Sequence, residues 1–208
     1  MKHFLRTILT TGFASAALVF SGCADANSEE QKIAPETASV VSTATLWDIQ
    51  PETSHIRFSA LQEGEAFSGE FESFSGIIRF DPETPETGQV DIEVALGSVE
   101  AGSTDRNSTL PGKLWFSTKA FPTAVFTSSD ISKSGNGFLA RGQLTLKGAT
   151  VPLDLPFNLT LENDRAVMTG RVEMDRTAWK VGSEPWDTDE WVSRNVSLDI
   201  QVEANRVD

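Results

Sequence analysis

The chain has 208 residues, 17 of them Lys or Arg and 30 Asp or Glu, for a formal charge of −13. Such an excess of acid disfavours binding to nucleic acid, or to anionic lipid, through a basic patch, because both need a positive field, so no nucleic acid partner is expected. One cysteine, Cys23, leaves no intramolecular disulfide framework.

In chain order, Lys2, His3 and Arg6 precede the apolar run Ile8 to Phe20, which reads as a signal peptide over residues 1–22. The run is shorter than the ~20 apolar residues of a membrane-spanning helix. Phe20-Ser21-Gly22-Cys23 resembles the lipobox of bacterial lipoproteins, with Phe20 where leucine is usual. The resemblance implies that Cys23 is lipidated and anchors the mature chain in the cell envelope, facing the periplasm. Ala24 directly after the cysteine implies the outer membrane by the same resemblance. Loss of residues 1–22 removes Lys2 and Arg6 and moves the formal charge to −15. Residues 24–45, rich in Ala, Ser, Thr and Glu, read as a flexible tether, and residues 46–208 as one domain.

Within that domain, apolar and polar residues alternate with a period of two, so that one face of each strand is buried. Val90, Ile92, Val94 and Leu96 alternate with Gln89, Asp91, Glu93 and Ala95. Leu155 to Leu161 and Val196 to Val202 repeat the pattern. Strands are also expected over 54–61, 67–80, 125–132, 137–146 and 166–174, parted by turn residues such as Gly135-Asn136 and Lys147-Gly148. Phe67 to Phe80 is long for one strand, and Ser75-Gly76 is the expected bend. Asp105 to Lys113 begins as a helix cap and predicts a short helix or an ordered loop. Trp179 to Trp191 forms a loop rich in Trp, Gly and acids. About eight strands suit either a closed barrel or a two-sheet sandwich.

Few side chains could carry catalysis. Once the signal is removed, His55 is the only histidine, at a strand start and without a nucleophile elbow elsewhere, so no catalytic residue is assigned. Asp187, Asp189 and Glu190 lack the spacing of a calcium loop, and no metal or cofactor is expected. Thirteen Phe and five Trp with no Tyr make an apolar, phenol-free aromatic set.

Trp47-Asp48-Ile49, Ser54-His55-Ile56 with Phe58, Gly69-Glu70-Phe71 and Phe74-Ser75-Gly76-Ile77-Ile78-Arg79-Phe80-Asp81 together resemble the YceI-like family. Asp105-Arg106 with Leu110, Trp115-Phe116, Phe121-Pro122, Phe126 with Ser128 and Gly142 to Thr150 extend the match. The resemblance implies an all-β, lipocalin-like antiparallel up-and-down barrel with one short helical insertion. It also implies an apolar lipid ligand, such as a polyisoprenoid or isoprenoid quinone, and no enzymatic residues. Ala60 to Glu65 departs from members with a histidine after the first strand and looks like a branch sometimes joined to cytochrome b561-type membrane domains. The expected lipid-binding residues are Phe58, Phe71, Phe74, Trp115, Phe116 and Phe126, with the segment from Asp105 to Lys113 over an opening. Expected partners are an isoprenoid or acyl lipid, the membrane through Cys23, a second copy in a homodimer, and a membrane redox or quinone-handling protein. The competing reading is an envelope stress or surface interaction protein whose barrel is packed solid and holds no lipid.

Overall fold

A computed structural model describes residues 44–207. The signal peptide, Cys23 and nearly all of the tether lie outside the described residues. Eleven strand segments form one antiparallel sheet: β1 (Leu46–Ile49), β2 (His55–Gln62), β3 (Glu65–Phe71), β4 (Phe74–Arg79), β5 (Gln89–Ala95), β6 (Val99–Glu100), β7 (Thr123–Ser134), β8 (Gly137–Leu146), β9 (Ala149–Glu162), β10 (Arg165–Asp175) and β11 (Asn195–Arg206). β1 and β2 share one neighbour, β11, so they are two halves of a single interrupted strand. The same holds for β3 with β4 and for β5 with β6. Counted this way, eight strands close in an up-and-down ring, sealed where Trp47 pairs with Arg206 on one side and with Ile78 on the other. A closed ring has no free edge, and this one has its own core, so it is a self-contained folding unit.

The three interruptions fall side by side, at Gln50–Ser54, Glu72–Ser73 and Leu96–Ser98, and form a crease across adjacent strands. Side chains replace the missing ladder bonds there. Ser54 Oγ donates to the Glu203 carbonyl at 3.3 Å and accepts from Glu203 N at 2.9 Å, while Ser73 N donates to Ser98 Oγ at 3.0 Å. The bend expected at Ser75-Gly76 therefore lies a few residues earlier. Gly76 sits inside β4 opposite Ile92, where any side chain would strike the Asp91 carbonyl and Ile92. A second irregularity, between Ser128 and Asp130 in β7, is a bulge that lets the wall curl.

The helix α1 (Thr104–Thr109) is capped by Ser103, whose Oγ accepts from Arg106 N at 3.2 Å. Asp105, the residue from which the sequence pattern starts the helix, lies inside the first turn. Gly102, at φ +71°, turns the chain so that Ser103 meets the helix in the extended conformation a cap requires.

Alternation puts the apolar side chains inside the ring and leaves Arg57, Glu70, Asp91, Glu93, Arg171 and Asp199 on the outer wall. That is the reverse of an outer-membrane barrel, whose outer band is apolar. Outer ion pairs such as Arg57–Glu70 at 3.2 Å and Arg194–Asp175 at 2.6 Å are exposed and contribute little each. Both termini of the ring emerge at one end, together with the Gly135-Asn136 and Asn163-Asp164 turns. At the opposite end lie the β2–β3 turn, α1 with the 110–122 segment, the Lys147-Gly148 turn and the 176–194 loop.

Candidate functional site

The barrel interior holds two apolar cavities in line. The one toward the termini has a volume of about 160 Å³ and the one under the loops about 140 Å³. They share Ile56, Val94, Leu144 and Leu198, which form a waist at the level of the crease. An interior with two such voids is not packed solid.

All six aromatics expected at the site line these cavities, but the structure divides them. Phe58, Phe71, Trp115 and Phe116 line the loop-end lobe, whereas Phe74 and Phe126 line the terminal-end lobe. In the loop-end lobe the rings touch in series: Phe67–Phe58 at 6.3 Å, Phe58–Phe71 at 5.6 Å and Phe71–Phe116 at 5.7 Å between centroids. Glycines make room for two of them. A side chain at Gly69, the cross-strand partner of Phe58, would meet the Phe58 ring, and one at Gly142 would meet Phe126.

The terminal-end lobe is floored by a group the aromatic motif did not single out as a site. Phe80, Phe138 and Phe157 pack pairwise at 5.1–5.7 Å, and Trp47 donates through Nε1 to the Phe80 carbonyl at 2.9 Å. The alternation of Phe138 on β8 and Phe157 on β9 is the signal that points inward, and Phe80 directly follows β4.

The loop end is closed differently. Arg176, only 4% exposed, lies in a short helical turn after β10 and reaches under the 181–194 loop. Its Nε donates to the Ser193 carbonyl at 2.9 Å, Nη1 to Val181 at 2.7 Å and Gly182 at 3.2 Å, and Nη2 to Val192 at 2.8 Å, Thr188 at 3.4 Å and Trp186. The guanidinium also lies 5.3 Å from the centre of the Trp115 ring. Burial pushes its pKa down from the ordinary arginine range, yet an arginine keeps its charge. Among the described residues, Arg176 is the one charged group lining either cavity, and its donors are spent on backbone carbonyls.

Of the loop tryptophans, Trp179 is buried with Nε1 on the Leu144 carbonyl at 2.8 Å, Trp186 leans on Trp115 at 6.1 Å, and Trp191 is exposed. Arg106 fastens the other cover. Its Nε donates to the Ala101 carbonyl at 2.6 Å and its guanidinium stacks 4.8 Å over Phe67, so α1 and Leu110 close the lobe from that side. His55 lies outside, on the outer wall of β2, 4.0 Å from Glu70. Asp189 accepts the Arg194 N–H at 2.7 Å, a structural role within its loop.

With this geometry in view, the family profile of the YceI-like domain matches residues 47–204. The chain belongs to the YceI-like family. A UPF0312 protein of Yersinia pestis is 35% identical over 92 residues, and one of Photorhabdus laumondii 33% identical over 87 residues. Each alignment covers 42–44% of this chain, and the chain spans about half the length of these curated relatives (45–48%). Among solved structures, Burkholderia cenocepacia BcnA superposes with a TM-score of 0.73 at 26% identity, over 76% of this chain and 100% of that one. A polyisoprenoid binding domain from Saccharophagus degradans gives 0.61 at 16% identity, over 77% and 98% of the two chains. The latter likeness is one of fold.

Proposed function

We propose that the protein is a cell-envelope lipoprotein, held at the outer membrane through Cys23, that binds, stores or shuttles an apolar chain such as a polyisoprenoid or isoprenoid quinone inside the barrel. The observation that carries this reading is the pair of cavities in line, walled by apolar side chains and without a free polar group. Such a site takes a hydrocarbon chain lengthwise and offers nothing to a headgroup, which stays outside. The polyisoprenoid-binding description of the Saccharophagus domain supports the same ligand class. Binding without chemistry fits this lining, since Arg176 is already engaged and His55 is outside.

Size sets a bound on what fits. Each lobe is close to the ~150 Å³ of an apolar cavity that accepts benzene, so together they hold roughly a dozen carbons as they stand. A longer chain needs loop-end rings such as Phe71 or Trp115 to turn aside, or its excess length to protrude. Each buried CH₂ contributes about 0.8 kcal/mol, so a dozen carbons is ample for tight capture. The test is native mass spectrometry of the protein purified from its own host, followed by organic extraction. A defined apolar species at near one per chain is expected, and a barrel that is empty both as isolated and after incubation with extracted host lipid overturns the reading.

A further inference from the structure

The overall charge conceals a local reversal at the loop end. Among the described residues there are five lysines, and four of them, Lys113, Lys119, Lys147 and Lys180, converge there from three separate segments. Lys147 Nζ ties the segments together, donating to the Leu114 carbonyl at 2.9 Å and to the Lys180 carbonyl at 2.5 Å. Gly182 N and Ser183 N donate to the same Leu114 carbonyl at 2.9 and 3.0 Å, which locks the Lys180 turn to the Lys113 turn. Partial burial and the nearby Lys180 charge lower the Lys147 pKa from its ordinary value, the mark of cations held close. Residues 113–121, 146–150 and 176–183 contain no acid at all, in a chain with 30.

Two large apolar side chains stand exposed among these cations. Leu114 is 44% exposed and Phe121 38%, with the Phe121 ring lying against Gly148 beside Lys147. Lysine ammoniums around an exposed Leu and Phe have the composition of an interfacial lipid-binding patch: apolar tips for the headgroup boundary and point charges for phosphates. The acids of this end, among them Glu63, Glu65, Asp105, Glu184, Asp187, Asp189 and Glu190, belong to the β2–β3 turn, α1 and the distal part of the 176–194 loop, not to these segments.

We propose that Lys113, Leu114, Lys119, Phe121, Lys147 and Lys180 form a docking face for an anionic phospholipid bilayer, which presents the loop end of the barrel to the membrane. Charge complementarity commits the face to that partner. At physiological salt, charges more than about 8 Å away are largely screened, so the acids at the terminal end do not cancel a patch in contact with headgroups. Docking in this orientation sets Trp115 and Phe116, which line the loop-end lobe, within a few residues of the bilayer surface.

The test is flotation of residues 44–208, free of any anchor at Cys23, with phosphatidylcholine vesicles with and without 30 mol% phosphatidylglycerol at about 0.15 M salt. Binding to the anionic vesicles is expected, at least tenfold tighter than to pure phosphatidylcholine. Each lysine at an anionic surface contributes roughly fivefold. Lys119→Glu is therefore expected to lose at least fivefold, whereas Lys133→Glu, the same charge change at the terminal end, leaves binding within twofold. Phe121→Ser weakens binding further without altering its salt dependence. Equal affinity for both vesicles, no binding to either, or equal losses for Lys119→Glu and Lys133→Glu overturns the proposal. Flotation uses no cargo, so its failure leaves the reading of the barrel interior standing, and an empty interior leaves the docking face standing.

Discussion

The two ends of the barrel are closed by different means. At the terminal end, side chains do the sealing: Phe80, Phe138 and Phe157 form a three-ring floor, and Ile131 beneath them is 1% exposed. At the loop end, backbone is drawn over the opening and held by hydrogen bonds to Arg176 and Arg106. A packed aromatic floor can open only by losing its contacts all at once, whereas a loop held by polar bonds exchanges those bonds for water as it lifts. The difference makes the terminal end the rigid seal and the loop end the cover that can lift.

The largest expected effect comes from breaking the floor. Phe80→Ala removes a ring 5% exposed and should cost about 3–5 kcal/mol in urea unfolding, while adding volume to the terminal-end lobe. Next is Arg176→Met, which keeps the stem but leaves six carbonyls without their donor. A loss of about 3 kcal/mol is expected. Hydrogen exchange then localises it: amides of 181–194 should lose protection while those of β8 and β9 keep theirs, and uniform loss across the barrel contradicts a separable cover. Val94→Phe at the waist overpacks the junction and should cost about 1–3 kcal/mol, confining any ligand to one lobe.

The smallest effect is acid loosening of the loop end. Partial burial works to raise the Asp175 pKa, but hydrogen bonds from Thr177 Oγ1 at 2.6 Å and Thr177 N at 2.9 Å, with the Arg194 guanidinium, outweigh it, and the carboxyl lies below its ordinary value. A depressed carboxylate stabilises the fold fully above the unfolded value near pH 4 and loses that contribution as pH falls through the folded value. Near-UV circular dichroism of the loop tryptophans should therefore hold from pH 7 to about 4 and decline below it. The decline should be absent in Asp175→Asn, whose baseline is already loosened.

How much of this was legible from residues follows the same division. The β5, β9 and β11 patterns face the core as alternation requires, apart from Leu161 near the end of β9, which is 38% exposed, and the six motif aromatics do line the interior, because a period of two fixes direction once a strand is placed. The division of those six between two lobes was not legible, since the waist arises where three interrupted strands meet at the crease. Arg176 gave no signal because its partners are backbone carbonyls, which carry no sequence pattern. The lysine face was hidden twice: by a net charge that averages over the whole surface, and by the distance along the chain between Lys113, Lys147 and Lys180.

Whether an apolar chain occupies both lobes is read out by calorimetric titration of residues 44–208 with isoprenoid alcohols of 10, 15 and 20 carbons. Affinity should climb with length, by roughly fourfold per buried CH₂, until the lobes are filled at about a dozen carbons, then level off, with the plateau reached at about half that length in Val94→Phe. Affinity independent of chain length, or a plateau unmoved by Val94→Phe, would contradict occupancy of both lobes.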